Sequence, residues 1–266
     1  MLLNLLGCNY IMEEKKDLME FEKILDFEKI LNAIARKGDG SHHVRLPNKF
    51  SPTELAGCMR NAYYSRLFPE DFSDGTYINF LYGNIMHDLF QNSLELKNKN
   101  KHLDEIFGDK ISYIENEKAF HYLIPLERTG GKRVVISGRL DTIVYFKDDP
   151  TPVVIDYKTT RAIKYNLHSP KQAHVAQLNY YLGCVLADYG MVVYINKSDM
   201  KIVQHTIAWS QKIFDDMINF AVELNKSLET NIAPIVKKSE MKDGGYCAYC
   251  RHKTKCSEYE KELKNK

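Results

Sequence analysis

The spacing of hydrophobic residues changes twice along the chain, and this change constrains the fold more than any other feature. Before about residue 96, apolar residues recur at helical spacing, which predicts amphipathic helices at 13–37 and 77–96. Over residues 110–157 the spacing shortens to alternation, which is typical of strands, and helical spacing returns at 172–189. Helices on either side of a run of strands predict an α/β (α+β) fold around one central sheet.

Local signals mark where some of these elements begin and turn. Ser51-Pro52 with Glu54 predicts a helix start, because serine caps a helix and proline fits its first turn. Gly130-Gly131 predicts a hairpin turn. The remaining predicted elements are strands at 110–118, 119–126, 133–146, 151–157, 191–195 and 201–208, and a helix at 211–230.

Composition excludes several classes of protein. The chain has 266 residues, and 37 Lys+Arg against 35 Asp+Glu give a formal net charge of +2. This balance excludes a globally basic nucleic-acid-binding protein but allows a local basic groove. The longest apolar runs, such as 191–195, are far shorter than the ~20 residues of a membrane span. The cysteines are too few and too clustered for a disulfide scaffold, which favours a reducing, cytoplasmic compartment.

Two aspartates on consecutive predicted strands indicate a catalytic site. Asp141 follows Gly138-Arg139-Leu140 on one strand, and Asp156 follows an apolar run on the next. Lys158 lies two residues after Asp156, so both side chains are on the same face of that strand. Carboxylates hold Mg²⁺ or Mn²⁺, and a lysine beside them suits metal-dependent cleavage of phosphodiesters. The alternative is an ordinary surface pair of charges at a strand end.

Three residues on the predicted helices are candidate partners of these aspartates. His87 is a candidate third metal ligand, with Leu81, Ile85 and Leu89 expected to form the opposite, core-facing stripe of its helix. Gln177 and Tyr181 are four residues apart and share a face of the next helix, so they are candidates to contact the lysine, the attacking water or a phosphate. Each of these residues, taken alone, is also typical of a structural role.

The cysteines indicate a second metal centre. Cys247, Cys250 and Cys256 form a C-x2-C-x5-C pattern in a tail, from residue 244, that is predicted to be irregular, and Cys58 is the candidate fourth ligand. Three clustered cysteines plus a distant one favour an iron–sulfur cluster, and His252 keeps a zinc site open. Cys184 lies among apolar helix residues and is predicted to be a buried small side chain.

These motifs, in this order, resemble the RecB-like branch of the PD-(D/E)XK nucleases, and most of all its CRISPR-associated iron–sulfur exonuclease family (Cas-four type). The residues that carry the resemblance are Cys58 with Arg60 and Tyr64, His87, Gly138-Arg139-Leu140-Asp141, Asp156-Tyr157-Lys158, Gln177, Tyr181, Cys247, Cys250 and Cys256. The resemblance covers about residues 50–260 and implies a restriction-endonuclease-like core, with a central mixed sheet flanked by helices.

The resemblance also implies roles for individual residues. It implies that His87, Asp141 and Asp156 hold Mg²⁺ or Mn²⁺, with the carbonyl of Tyr157 as a possible fourth ligand, and that Lys158 is the catalytic lysine. Gln177 and Tyr181 would form an accessory catalytic motif, and the four cysteines Cys58, Cys247, Cys250 and Cys256 would hold a 4Fe-4S cluster. The implied domains are an N-terminal helical extension at 1–45, a nuclease domain at 46–240 and a cysteine-rich region at 241–266 that packs with Cys58.

The expected function is therefore metal-dependent DNA exonuclease activity on single strands or DNA ends, in CRISPR spacer acquisition with integration proteins as partners. A repair or viral recombination nuclease with the same core is an alternative, and homo-oligomers are compatible with the N-terminal helix. Two alternatives of other classes are a non-catalytic nucleic-acid-binding protein with a structural zinc or iron–sulfur site, and a zinc-stabilised interaction protein. No membrane association is expected.

Overall fold

The computed structural model describes most of the chain in two compact units. The described residues are 27–38, 46–69, 72–95, 105–106, 108–166, 168–235, 247 and 250–264. The described parts of 27–38 and 72–84 form one unit, and the other described residues form the second. The predicted boundaries at 45/46 and 240/241 fall outside the described residues, so the domain limits stay a prediction.

The first unit contains helix α1 (Phe27–Gly38) and the first half of helix α4 (Asp74–Glu95). Arg36 forms an ion pair with Asp74, with Nη2 2.7 Å from Oδ1. The guanidinium of Arg36 also lies 5.1 Å from the ring centre of Tyr77, which Phe72 contacts edge-on. The helix predicted at 13–37 is thus confirmed over the described residues from Phe27 onward, and its earlier part lies outside them.

The second unit contains the rest of α4 and a mixed sheet with its helices. Its other elements are β1 (Lys49–Phe50), α2 (Pro52–Leu55), α3 (Met59–Leu67), β2 (Ile111–Leu123), β3 (Val135–Phe146), β4 (Val153–Thr160), α5 (Gln172–Val185), β5 (Tyr189–Asn196), β6 (Ile202–Ala208), α6 (Gln211–Thr230) and α7 (Lys253–Lys264). The helix start predicted at Ser51 is confirmed, because its hydroxyl accepts a hydrogen bond from the backbone N–H of Glu54 at 3.1 Å.

The sheet places β3 and β4 at its centre. Its strand order is β1-β3-β4-β5-β6, and β2 pairs with β3 along the other side of that strand. β1 is parallel to β3, and β4 is parallel to β5. β2 and β4 are both antiparallel to β3, and β6 is antiparallel to β5. This arrangement explains why the two predicted aspartates can meet, since they lie on adjacent central strands.

Alternation along β4 and β5 buries both faces of the sheet. One set of alternating residues packs in the main core with α5 and α6, and includes Val154, Val192 and Tyr194. The intervening residues form a smaller cluster with two side chains of α4, and comprise Ile155, Tyr157, Met191, Val193 and Ile195 with Met86 and Phe90. Side chains of successive strand residues point to opposite faces, so helices cover the sheet on both sides. The predicted mixed sheet flanked by helices is confirmed.

Three sequence predictions are corrected by the structure. The two strands predicted at 110–118 and 119–126 are one strand, β2, in which Glu117 adopts a left-handed conformation (φ 53°). The tail predicted to be irregular contains helix α7. Ile85 and Leu89, predicted to face the core, are 50% and 48% exposed, because the face of α4 that carries Met86 and Phe90 packs on the sheet instead.

Candidate active site and cysteine region

Strands β3 and β4 separate at one end, and Asp141 lies where they part. Among the described residues the two strands pair only from Val144↔Val153 to Thr142↔Ile155. Just beyond, Oδ2 of Asp141 accepts a hydrogen bond from the backbone N–H of Tyr157 at 2.8 Å. The carboxylate therefore takes the place of a strand partner, which fixes it between the two strands while its other oxygen faces His87.

Asp156 and Lys158 form a buried ion pair on the next strand, as their spacing predicts. Nζ of Lys158 lies 2.9 Å from Oδ1 and 2.8 Å from Oδ2 of Asp156, which is 1% exposed. Burial raises the pKa of Asp156 above its ordinary value, although Lys158 opposes the rise. Burial alone would lower the pKa of Lys158, but the carboxylates of Asp156 and Asp141 outweigh it and raise this pKa. The lysine is thus held protonated beside the two acids.

His87 reaches the same place from helix α4. Its Nδ1 lies 3.5 Å from Oδ1 of Asp141, and its ring contacts Tyr157 edge-on at 5.9 Å. Burial lowers the pKa of His87, but the hydrogen bond and charge of Asp141 raise it more, so the net shift is upward. The structure therefore brings together the four side chains that the sequence singled out most strongly.

Two residues that the sequence reasoning missed complete the arrangement. Nε2 of Gln91 donates to Oε1 of Glu117 at 2.8 Å and to the carbonyl of Asp141 at 3.0 Å. Gln91 follows His87 by one helical turn, and this spacing is the signal that could have indicated it. Glu117 could not be found this way, because its place opposite Asp141 depends on the register of β2. We call His87, Glu117, Asp141, Asp156 and Lys158 the carboxylate cluster.

Gln177 and Tyr181 differ in how near they come to the cluster. Nε2 of Gln177 donates to Oδ1 of Asp156 at 3.4 Å, so this side chain contacts an acid. The hydroxyl of Tyr181 instead donates to the backbone carbonyl of Arg139 at 2.8 Å. A Cβ on Gly138 would lie 2.5 Å from that hydroxyl, which explains why glycine is needed there. Burial and the charges of Asp156 and Asp141 raise the pKa of Tyr181, so its hydroxyl also lies near the cluster. Catalytic roles for both residues stay predictions.

The donor atoms of the carboxylate cluster fit a divalent cation. Among the described residues, one donor atom each of His87, Glu117 and Asp141 lies within 4.8 Å of the others. Carboxylate and imidazole donors suit Mg²⁺ or Mn²⁺ at a site that must also admit a phosphate. Asp156 is not one of these three residues, and Nζ of Lys158 lies 2.9 and 2.8 Å from its two oxygens.

The candidate iron–sulfur ligands lie around the first turn of α3. Burial raises the pKa of the Cys58 thiol, backbone hydrogen bonds with Asn61 and Arg60 lower it, and the nearby thiols of Cys247 and Cys256 raise it again. Cys250 lies close too, since its Sγ donates to Oδ1 of Asn61 at 3.6 Å. Thiols from two distant segments thus converge, and four thiols are a donor set that both iron–sulfur clusters and zinc use.

Two side chains hold the tail against α3. Arg60 is 1% exposed and donates to the carbonyl of Pro234, to Sγ of Cys256 and to Glu260, at 3.1, 3.1 and 2.6 Å. His252 is also buried, with Nε2 3.0 Å from the hydroxyl of Ser65. His252 therefore takes part in packing the tail against α3. We call Arg60, Cys58 and the three tail cysteines the cysteine region.

Of the remaining cysteines, the structure describes only Cys184, which packs elsewhere. Burial raises the pKa of Cys184 to about 11, and its side chain packs against the main core, as the sequence predicts. Cys8 lies outside the described residues. No helix in the described part of the chain has the length and apolarity that crossing a bilayer requires.

One solved structure supports the fold. The structure of the protein SSO0001 aligns over 85% of this chain and 94% of its own, with 23% identity and a TM-score of 0.52. Two more distant structures are LHK-Exo in complex with dAMP (70% and 90% covered, 15% identity, TM-score 0.38) and a phage-related exonuclease from Haemophilus somnus 129PT (69% and 96% covered, 12% identity, TM-score 0.36).

The comparison with curated protein sequences gives no match. A sequence model described as PD-(D/E)XK nuclease superfamily matches residues 52–257, a span that includes the whole carboxylate cluster and the four candidate cluster cysteines. This chain belongs to the PD-(D/E)XK nuclease superfamily.

Proposed function

We propose that the protein is a divalent-metal-dependent DNA exonuclease. The observation that carries the proposal is the meeting of Asp141, Asp156 and Lys158 where β3 and β4 separate, in a chain of nuclease family. Two acids and a protonated lysine, fixed by backbone and helix contacts, form a site that needs little rearrangement to act on a phosphodiester. Such fixed charges stabilise a transition state because they require no reorganisation during the reaction.

Each side chain has a specific task in this proposal. Asp141, His87 and the carbonyl of Tyr157 would hold the cation, and Asp156 would join them while it stays paired with Lys158. Gln177 orients Asp156 through its hydrogen bond. Lys158 keeps its positive charge beside the acids, so it positions the attacking water and offsets the negative charge that develops on the phosphate. A bound Mg²⁺ or Mn²⁺ supplies Lewis-acid polarisation of the phosphoryl oxygen and a more acidic water.

The cysteine region supports the narrower assignment to the iron–sulfur exonucleases of the Cas-four type. Cys58, Cys247, Cys250 and Cys256 would hold a 4Fe-4S cluster, whose part here is to tie the tail to α3. Such a tie contributes to folding, since a metal centre that exists only in the folded chain adds its binding free energy to stability. Action on single strands or DNA ends, and trimming of DNA for CRISPR spacer acquisition, belong to this assignment.

Alternatives remain at two levels. A repair or viral recombination nuclease would use the same carboxylate cluster, so that alternative differs in biological role and not in chemistry. A non-catalytic nucleic-acid-binding protein would not need the lysine beside two acids, and the close Asp156–Lys158 pair favours catalysis over it.

The test of the proposed chemistry is cleavage of end-labelled linear DNA, with circular DNA as the control for ends. In Mg²⁺ or Mn²⁺ the wild-type protein should degrade linear DNA, single-stranded DNA fastest, and leave closed circles intact. Lys158→Ala should lose at least about 100-fold in rate while still binding Mn²⁺, because a protonated lysine cannot be a ligand. An inactive wild-type protein, or a fully active Lys158→Ala variant, would overturn the proposal.

The test of the cluster is the iron content and visible absorbance of anaerobically purified protein. Serine variants of the four ligand cysteines should lose iron and colour, whereas Cys184→Ser should keep both. A colourless wild-type protein that contains zinc would refute the iron–sulfur assignment and leave the nuclease proposal standing.

A further inference from the structure

Glu117 has a backbone conformation that a strand does not favour. Its φ of 53° is left-handed, although it lies inside β2 between Asn116 and Lys118, which keep regular register with Thr142 and Leu140. A residue other than glycine in this conformation costs about 1–2 kcal/mol. The local distortion changes the direction of one side chain without shifting the strand.

Helix α4 contacts Glu117 directly, and β3 contacts the residue before it. Gln91, which is 4% exposed, donates one hydrogen bond to the Glu117 carboxylate and one to the carbonyl of Asp141. On the other side, the hydroxyl of Thr142 donates to Oδ1 of Asn116 at 2.7 Å. The carboxylate of Glu117 is thereby linked to the strand of Asp141 and to the helix of His87.

The distances place Glu117 within reach of the same ion as its neighbours. One donor atom of Glu117 lies within 4.8 Å of donor atoms of both His87 and Asp141. Oxygen ligands lie about 2.0–2.6 Å from Mg²⁺ or a larger divalent cation, so two ligands of one ion are at most about 4–5 Å apart. The three atoms therefore satisfy the distance limit for one ion.

Charge balance also favours a third acid at this point. Lys158 faces both oxygens of Asp156 and neutralises that carboxylate. Glu117 and Asp141 then supply two negative charges beside a divalent cation. The ion pair of Glu117 with Arg139 does not compete strongly, because Arg139 is 65% exposed and such surface pairs are worth about 0–1 kcal/mol.

We propose that Glu117 is a ligand of the divalent cation, together with His87 and Asp141, and that Gln91 positions it. This inference rests on the proposed function, since it concerns the cation of the same site. It assigns the distorted residue of β2 a direct part in metal binding, which explains why a strained conformation occurs opposite Asp141.

The test measures Mn²⁺ binding to the full chain without DNA, by calorimetry and by the electron paramagnetic resonance of free Mn²⁺. Glu117→Gln keeps the shape and the acceptor for Gln91 but removes the charge, and it should weaken Mn²⁺ binding at least about tenfold. Glu115→Gln is the matched control, because Glu115 lies on the same strand and contacts Lys118 and Tyr145 instead. The control should bind Mn²⁺ as the wild type does.

A second variant separates metal binding from folding. Glu117→Gly accommodates the left-handed conformation without strain, so it should unfold at the same temperature as the wild type or higher, yet bind Mn²⁺ as weakly as Glu117→Gln. Wild-type Mn²⁺ affinity in either Glu117 variant, or no Mn²⁺ binding by the wild type, would overturn the inference. If the wild type binds Mn²⁺ but cleaves no DNA, and the Glu117 variants bind Mn²⁺ more weakly, Glu117 is still a metal ligand. That result would refute the nuclease proposal alone.

Discussion

In the carboxylate cluster, Asp141 and Asp156 lie on adjacent strands formed by consecutive parts of the chain. In the cysteine region, Arg60 contacts a residue 196 positions away in the sequence, and His252 of the tail contacts α3 across a similar separation. The carboxylate cluster places charges on a sheet that hydrophobic packing already stabilises. The contacts of the cysteine region themselves stabilise the fold, because they connect the tail to α3.

This difference predicts opposite effects of substitution. Neighbouring like charges oppose folding, so removing Asp141 or Glu117 should leave stability nearly unchanged and remove the chemistry. Asp156 is the exception, because its loss would leave Lys158 buried without its carboxylate. Removing a contact from the cysteine region should lower the free energy of unfolding, while each molecule that remains folded keeps its active site. The substitutions below test that separation, in order of expected effect.

Asp141→Asn should have the largest effect, on cleavage alone. The amide oxygen can still accept the hydrogen bond from Tyr157, so the separation of β3 and β4 is preserved, but the anionic ligand is lost. A loss of about 4 kcal/mol in transition-state stabilisation corresponds to about 1,000-fold in rate. Single-turnover cleavage of labelled DNA and thermal unfolding would be measured together, and a large drop in melting temperature would contradict the predicted separation.

Arg60→Met should have its main effect on stability. The substitution leaves the carbonyl of Pro234 without its donor and Glu260 without its cation, at a cost of about 2–3 kcal/mol in the free energy of unfolding. Denaturant unfolding would measure this loss, with the exposed Lys253→Ala as a matched control that should change stability by less than about 0.5 kcal/mol. Unchanged stability of Arg60→Met would show that the tail does not support the fold.

Gly138→Ala should affect both properties, since it lies behind the cluster on β3. Its Cβ would meet the Tyr181 hydroxyl at 2.5 Å and Cδ of Pro52 at 2.7 Å, so either α2 or α5 must shift. Overpacking of this kind costs about 1–3 kcal/mol. Gly75→Ala, which meets no atom within 4 Å, is the control and should not destabilise. A Gly138→Ala variant with normal stability and cleavage would contradict this prediction, because α2 or α5 would then have shifted without affecting the carboxylate cluster.

The sequence predicts Asp141, Asp156 and Lys158 well because their geometry depends on two consecutive strands. Alternation puts Asp156 and Lys158 on one face, and consecutive strands bring Asp141 beside them. It could not predict Glu117, because a left-handed residue in a strand leaves no pattern and its partner Gln91 comes from a helix. Helix α7 could not be predicted for a similar reason, because its amphipathic spacing is weak. Contacts such as the ion pair of Arg60 with Glu260 hold it in place, and no local pattern indicates them.

Tyr181→Phe should have the smallest effect. It tests whether the Tyr181 hydroxyl supports the backbone of β3 or takes a direct part in catalysis. The substitution removes the hydrogen bond to the carbonyl of Arg139 from a side chain that is 2% exposed, at a cost of about 0.5–1.5 kcal/mol in stability. Tyr180→Phe is a matched control, because its fully buried hydroxyl donates to the carbonyl of Ile136 on the same strand, farther from Asp141.

Both phenylalanine variants should lose similar stability, and Tyr181→Phe alone should slow cleavage, by less than about tenfold, through a small displacement of the strand that carries Asp141. The pH profile of cleavage should stay unchanged, because the hydroxyl acts on the backbone. Burial also raises the pKa of Tyr181, so this hydroxyl stays protonated and cannot serve as a general base. A loss of about 100-fold or more with unchanged stability would contradict this view, and would place the hydroxyl on the water or the phosphate, as the sequence motif predicts.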